Sequence, residues 1–102
     1  MLIWTEPAKK DVMEFINNAK FDTQNTVKQY FFKMSNYLEV LNDMPYLGKK
    51  LHLLHDDIHI RQIIFKSHKI IYLISETDIY ILAVLHSKMD TNTIISKIIN
   101  FY

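Results

Sequence analysis

The stretch IHIRQIIFKSHKIIYLISETDIYILAVLH, residues 58–86, decides the fold. It holds three runs rich in apolar and β-branched residues, which are Ile58–Phe65, Ile70–Ile74 and Ile79–Leu85. Short polar breaks separate the runs. Runs of this length and composition, with breaks this short, predict consecutive antiparallel strands joined by hairpins.

The residues before this stretch predict a short strand and then an amphipathic helix. Leu2–Trp4 is an apolar run that we expect to join the sheet. Thr5 suits an N-cap, with a glutamate and a proline after it, so a helix should begin there and end near Lys20. Its buried face should comprise the residues at helical spacing, Val12, Phe15, Ile16 and Ala19. Its charged residues should face water: Lys9, Lys10, Asp11 and Glu14.

A second helix follows and should end near Asn42. Either Asp22 or Thr23 can cap its amino terminus. Its apolar stripe again has helical spacing: Val27, Tyr30, Phe31, Met34, Leu38 and Leu41. The proline and glycine in residues 44–48 end it. Two antiparallel helices with a short connection form a helical hairpin, which needs a sheet face to cover.

The carboxyl-terminal part predicts one short closing helix. Asp90 or Thr91 can cap it. Its apolar residues are Ile94, Ile95, Ile98 and Ile99, followed by Phe101 and Tyr102. The segment Lys49–Asp57 stays open between an edge strand containing Leu51, Leu53 and Leu54 and a polar loop.

The predicted fold class is therefore α+β, in a single domain of residues 1–102. It comprises an N-terminal strand, a helical hairpin packed on an antiparallel sheet of three to four strands, and the short C-terminal helix.

Composition narrows the class of protein. The chain has no cysteine, which excludes disulfides and thiolate metal sites and fits a reducing compartment. No apolar run reaches the roughly 18 residues of a membrane span, so we expect a cytoplasmic protein without a membrane partner. Twelve basic and eleven acidic residues give a net charge of +1. A dedicated nucleic-acid-binding protein usually carries a larger excess of basic residues.

The histidines and aspartates of residues 52–59 raise the question of a metal site. They are His52, His55, Asp56, Asp57 and His59. Their spacing matches no recognised metal motif, and a divalent site needs three or four converging ligands. We therefore predict no metal and no cofactor.

Five pieces of the sequence, taken in order, resemble the RelE/ParE superfamily of toxins from type II toxin–antitoxin systems. They are TEPAKKD at 5–11, MPYLG at 44–48, IRQI at 60–63, HKIIY at 68–72 and VLHSKMD at 84–90. The resemblance covers almost the whole chain and implies the same fold class. It also implies a cognate antitoxin, ParD-like or RelB-like, that wraps the toxin with a helix and an extended tail.

The superfamily divides by activity, and the resemblance favours the ParE-like branch. RelE-like members cut mRNA on the ribosome, whereas ParE-like members inhibit DNA gyrase without chemistry of their own. The ribonuclease branch carries a cation at the end of the first hairpin strand, an arginine after the last strand and an aromatic acid/base residue in the last helix. Those places hold Phe65, Lys88 and Ile94, of which only Lys88 is chemically comparable.

Two alternatives remain open. A RelE-like endoribonuclease would use Arg61, His86 and Lys88, with Lys49 or Lys50 also contacting RNA. A family member without toxicity would bind the antitoxin and nothing else.

The candidate partner-binding residues are one arginine and the closing apolar face: Arg61, Ile94, Ile95, Ile98, Ile99, Phe101 and Tyr102. Arg61 can instead be structural, paired with a carboxylate or with carbonyls. The closing helix can instead complete the core, and His86 can be a surface residue rather than a general base.

Strand register decides whether Arg61 and His86 can cooperate. A two-residue turn at 67–68 places Arg61 opposite Ile74. A two-residue turn at 76–77 then puts His86 on the opposite face of the sheet, and a three-residue turn at 76–78 puts it on the same face. Even on the same face, His86 should lie near the level of His68, whereas Arg61 should be level with Ile74. The two levels are roughly 20 Å apart at about 3.3 Å per residue, which argues against a joint active site.

Overall fold

The computed structural model describes residues 1–51 and 59–91. It contains five strands, two α-helices and two 3₁₀ segments. In chain order they are β1 (Leu2–Trp4), α1 (Glu6–Asn17), a 3₁₀ turn (Phe21–Thr23), α2 (Gln24–Leu38), a second 3₁₀ segment (Glu39–Asn42), β2 (Lys49–Lys50), β3 (Ile60–Phe65), β4 (His68–Ser75) and β5 (Asp78–His86).

The strands form one mixed sheet in the order β1-β5-β4-β3-β2. The three predicted strands are confirmed as an antiparallel meander. β4 and β5 extend into the predicted breaks, whereas β3 ends at Phe65 as predicted. The predicted antiparallel sheet of three to four strands is corrected, because β1 pairs in parallel with β5 and β2 adds a short edge strand. The helical hairpin and the strands β2 to β4 lie between β1 and β5 in the chain, a connection long enough for the parallel pairing that a tight turn cannot provide.

The turn between β3 and β4 lies one residue earlier than predicted. Phe65 pairs with His68, so residues 66 and 67 form the turn and Arg61 lies opposite Tyr72, not opposite Ile74. The turn between β4 and β5 has two residues, one of the two predicted lengths. The first residue of each turn adopts a positive φ, 51° at Lys66 and 54° at Glu76, as two-residue hairpin turns require.

A β-bulge in β5 decides which face His86 occupies. Ile71 pairs with Ala83 and Tyr72 pairs with Ile81, which leaves Leu82 as an extra residue. The bulge shifts the alternation of β5, so that His86 lies on the helix-covered face together with Arg61. The predicted outcome of a two-residue turn, opposite faces for Arg61 and His86, is therefore wrong.

Helix α1 begins as predicted and is anchored to β5 through its cap. The Thr5 hydroxyl accepts a hydrogen bond from the Ala8 N–H at 3.4 Å and donates one to the Ile81 carbonyl at 2.6 Å. The helix ends at Asn17, three residues before the predicted Lys20.

Asp11 does not face water as predicted. It is buried, and its Oδ2 accepts a hydrogen bond from the Val84 N–H at 3.0 Å. The pairing of β1 with β5 ends at Ile81, so the backbone edge of β5 beyond that residue needs another partner. A carboxylate on the sheet-facing side of α1 supplies it.

Helix α2 packs its predicted stripe against the sheet. Met34, Leu38 and Leu41 are fully buried, and burying a side chain of this size contributes roughly 1.5–3 kcal/mol to stability. Helical structure reaches Asn42 as predicted, although the last turn is 3₁₀. No helix in the described parts of the chain has the length and apolar character of a membrane span.

Each face of the sheet carries an apolar cluster. The helix-covered face joins α1 and α2 to Ile63, Ile70, Tyr72, Ile81 and Val84. The opposite face has a second buried cluster: Ile60, Ile71, Leu73, Leu82, Ala83 and Leu85. The predicted closing helix lies outside the described residues. Most of Lys49–Asp57, for which the sequence allows either an edge strand or a polar loop, lies outside them too.

Candidate functional site

A cavity of about 480 Å³ lies between the helices and the end of the sheet where β3 turns into β4. We call it the histidine pocket. It is lined by residues from both helices, from the β3–β4 turn and from the neighbouring ends of β4 and β5: Phe15, Thr26, Val27, Tyr30, Phe31, Ser67, His68 and His86. It forms where α1 ends and α2 begins, beside the ends of β4 and β5.

His68 forms the floor of the histidine pocket among aromatic rings. Its ring centroid lies 4.9 Å from that of Phe15, 5.2 Å from that of Phe31 and 5.9 Å from that of His86. Burial, and then the neighbouring His86, lower the pKa of His68 below its ordinary value of 6.5. The surroundings therefore favour the neutral imidazole at His68.

Tyr30 ties α2 to the hairpin that carries His68. Its hydroxyl oxygen lies 2.8 Å from His68 Nδ1 and 3.2 Å from the carbonyl oxygen of Phe65, and it accepts a hydrogen bond from the Ser67 N–H at 3.3 Å. These contacts fix the side chain of His68 and the turn together. Tyr30 thus holds one wall of the pocket in place through contacts with three residues of the hairpin.

His86 closes the other side of the pocket at the end of β5. Its Nδ1 accepts a hydrogen bond from the Lys88 N–H at 3.2 Å, so the neutral ring carries its proton on Nε2. In that tautomer neither nitrogen has a free lone pair for taking a proton from a substrate. A general-base role would require His86 to give up its contact with the Lys88 backbone.

Arg61, at the far end of the same face, is engaged with backbone. Its Nη1 donates to the carbonyl of Gly48 at 2.6 Å and to that of Tyr46 at 3.2 Å, and its guanidinium lies 5.0 Å from the centre of the Tyr46 ring. Tyr72 completes this arginine clamp: its hydroxyl accepts from the Gly48 N–H at 2.9 Å and donates to the Pro45 carbonyl at 2.8 Å. The clamp fixes the turn before β2 against β3.

Gly48 is required in the arginine clamp because of close approach. A Cβ at this position would lie 2.6 Å from the carbonyl oxygen of Gln62 and 2.6 Å from the Tyr72 hydroxyl. The glycine thus lets two backbone segments meet at the place where Arg61 binds them.

The candidate ribonuclease residues do not converge. Arg61 is level with Tyr72 and His86 with His68, four residues apart along β4, or about 13 Å at roughly 3.3 Å per residue. That separation is shorter than the predicted 20 Å but still too long for a shared reacting group. Lys88 is exposed beside His86. The partner-binding candidates Ile94, Ile95, Ile98, Ile99, Phe101 and Tyr102 lie outside the described residues.

Metal binding finds little support in the described ranges, 1–51 and 59–91. These residues contain no group of three or more histidine, cysteine, aspartate or glutamate side chains placed to bind one ion. His68 and His86 are a pair, and the Nδ1 contact from Lys88 leaves a proton on the other nitrogen of His86. The acidic histidine-rich cluster of the sequence lies outside these ranges except for His59.

The sequence drew attention to His86 but missed its two neighbours. The predicted turn at 67–68 includes His68, and the predicted buried stripe of the second helix includes Tyr30. The available signal was the register: once Phe65 is paired with His68, the histidine begins a strand and faces the helices beside Tyr30.

A family model described as the ParE toxin of the type II toxin-antitoxin system, parDE, matches residues 2–91. No curated protein matches the chain significantly. The matched region includes β1, both helices and the whole meander, and its fold agrees in outline with the RelE/ParE resemblance of the sequence. The chain belongs to the ParE toxin family of type II toxin–antitoxin systems, and an antitoxin partner follows from that membership.

Proposed function

We propose that this toxin acts by binding DNA gyrase and blocking its supercoiling reaction, and that its antitoxin neutralises it by covering the binding surface. The observation that carries the proposal is the family match over residues 2–91. On this account the toxin needs no cofactor and acts in the cytoplasm by protein–protein contact.

The position of Phe65 supports a binding function over RNA cleavage. The ring of Phe65 is half-buried, 5.5 Å from the centre of the Tyr30 ring and 5.4 Å from that of Tyr37. An apolar side chain packed in this way cannot stabilise the negative charge that develops during phosphodiester cleavage. The resemblance places a cation at this point in the ribonuclease branch.

The candidate antitoxin contacts remain Arg61 and the closing apolar face at 94–102. The Arg61 guanidinium is half-buried and bound to two carbonyls, and its Nε has no hydrogen-bond partner. That Nε is buried, so a carboxylate from the antitoxin would bind the outer guanidinium nitrogens instead, where it would add a charge-assisted hydrogen bond. Exposed apolar residues beside it, Tyr46 and Leu47, extend the contact surface.

The endoribonuclease alternative has one observation in its favour. His86 is paired with a second imidazole, His68, and Lys88 lies beside it. Acid–base cleavage of RNA by two histidines needs one ring protonated and one neutral. The Lys88 contact on His86 Nδ1 opposes the base role, and Arg61 lies too far away to assist. We therefore favour gyrase binding.

Induced expression in cells, with the topology of a reporter plasmid and the integrity of mRNA measured together, tests the proposal. We expect growth arrest, loss of negative supercoiling and intact mRNA, with all effects reversed by the co-expressed antitoxin. Cleaved mRNA with normally supercoiled plasmid would support the ribonuclease alternative. Unimpaired growth at confirmed expression would support a binding module without toxicity.

A further inference from the structure

We propose that the histidine pocket is a docking site for an acidic segment of a protein partner, which inserts one bulky apolar side chain between α1, α2 and the β3–β4 turn. This inference goes beyond gyrase inhibition. It concerns a surface separate from Arg61, and it does not depend on the identity of the toxin's target.

The apolar character of the pocket defines the side chain that fits. Phe15, Val27, Tyr30 and Phe31 form its walls, and the volume of about 480 Å³ is ample for a phenylalanine or leucine. Recognition sites of this kind bury one aromatic or aliphatic anchor and arrange polar groups around it. Anchors of this type supply most of the binding energy at protein interfaces.

Charge at the mouth defines what flanks that side chain. Lys66 and Lys88 are exposed, and they belong to the two segments that supply the lining residues Ser67 and His86. The Ser87 N–H donates to the Ser67 carbonyl at 2.7 Å, so the segments that carry the two lysines adjoin each other. Within the described part of the chain neither lysine forms an ion pair.

The lining of the pocket contains no carboxylate, and its two imidazoles add hydrogen-bond donors. The acidic side chains of α1 lie on the other side of Phe15, where Asp11 and Glu14 line a separate cavity of about 350 Å³. The exposed lysines thus lie on the segments that follow β3 and β5, and the carboxylates of α1 line the neighbouring cavity. A bound segment with carboxylates around its anchor would place them toward Lys66 and Lys88.

The test measures binding of labelled synthetic peptides to the full chain by fluorescence anisotropy. The probe has a central phenylalanine flanked by glutamates. One control peptide replaces the phenylalanine with alanine, and another replaces the glutamates with lysines. We expect saturable binding of the probe alone, with changes in the ring NMR signals of His68 and His86. Equal binding of the lysine-flanked peptide, or no binding of any peptide, would overturn the proposal.

Matched variants locate the site. Lys66→Glu with Lys88→Glu should weaken probe binding about tenfold, because two attractive surface charges become repulsive. Thr26→Trp should block the mouth from an exposed helix position. Lys49→Glu and Asn36→Trp, at exposed positions that do not line the pocket, should leave affinity unchanged.

Thermal melts check that every variant folds. Glutamate is compatible with the positive φ of Lys66, since Glu76 adopts the same conformation in the other hairpin. Folded pocket variants that bind the probe as tightly as the unmodified chain would refute the assignment of the site.

Discussion

Replacing Tyr72 with phenylalanine tests the arginine clamp through a single oxygen atom. The Tyr72 side chain is fully buried, and its hydroxyl bridges the Gly48 N–H and the Pro45 carbonyl at 2.9 and 2.8 Å. Phenylalanine keeps the ring and leaves the buried Gly48 N–H without its acceptor. An orphaned buried donor costs about 1–3 kcal/mol, and the lost bond to Pro45 adds about 1 kcal/mol. We therefore expect Tyr72→Phe to lower the free energy of unfolding by about 2–4 kcal/mol.

Urea denaturation followed by circular dichroism measures this loss. The transition midpoint should fall by roughly 1–2 M, with an unchanged slope. Tyr80→Phe is the matched control, because Tyr80 is half-buried and its hydroxyl has no hydrogen bond within the described residues. It should change stability by less than about 0.5 kcal/mol. Equal effects of the two substitutions would show that the Tyr72 hydroxyl does not hold the turn before β2.

Three further predictions follow from the same contacts. Gly48→Ala should cost about 1–3 kcal/mol of stability in the same urea assay, because its Cβ meets backbone and Tyr72 at 2.6 Å; a neutral result would mean that the turn moves freely. Asp11→Ala should cost about 1.5–3 kcal/mol by removing the acceptor of the Val84 N–H, and Asp11→Asn, which retains an acceptor oxygen, should cost less. Stability should fall as pH drops below 6.5 toward the folded-state pKa of His68, because burial and His86 lower that pKa and the unfolded state then binds more protons. His68→Gln should reduce this dependence, whereas a matching change at the exposed His59 should not.

The sequence predicted the elements of the fold better than their register. Runs of apolar and β-branched residues correctly predicted the three long strands, and the apolar stripe predicted the buried residues of α2. Because the observed turn lies one residue earlier than the predicted turn, the pairing of β3 with β4 is shifted by two residues. A shift of two leaves every side chain on the predicted face of the sheet. Hydrophobic alternation cannot distinguish two such registers, because its period is also two. The observed register places Tyr72 beside Arg61, where its hydroxyl binds the backbone of Gly48. Such a contact between distant segments is not visible in the sequence pattern.

Asp11 shows a second limit of sequence patterns. A carboxylate in an amphipathic helix is ordinarily placed in water. Here it is buried because β1 ends at Trp4 and leaves the edge of β5 without a strand partner. The length of a neighbouring strand, which the pattern of α1 does not encode, determines where the side chain goes.

The candidate site was predicted only in part. His86 attracted attention as a histidine at the end of a strand, but the single extra residue Leu82 determines that it faces the helices. His68 and Tyr30 meet only in the folded chain, across 38 positions of sequence. A bulge and a long-range contact of this kind leave no signal in local periodicity.

The central claim, inhibition of DNA gyrase, is tested most directly by the supercoiling rate of the purified enzyme as purified toxin is added. The account predicts that supercoiling falls as the ratio of toxin to gyrase rises, that the antitoxin restores it, and that heat-denatured toxin has no effect. Unimpaired supercoiling at a molar excess of folded toxin would contradict it.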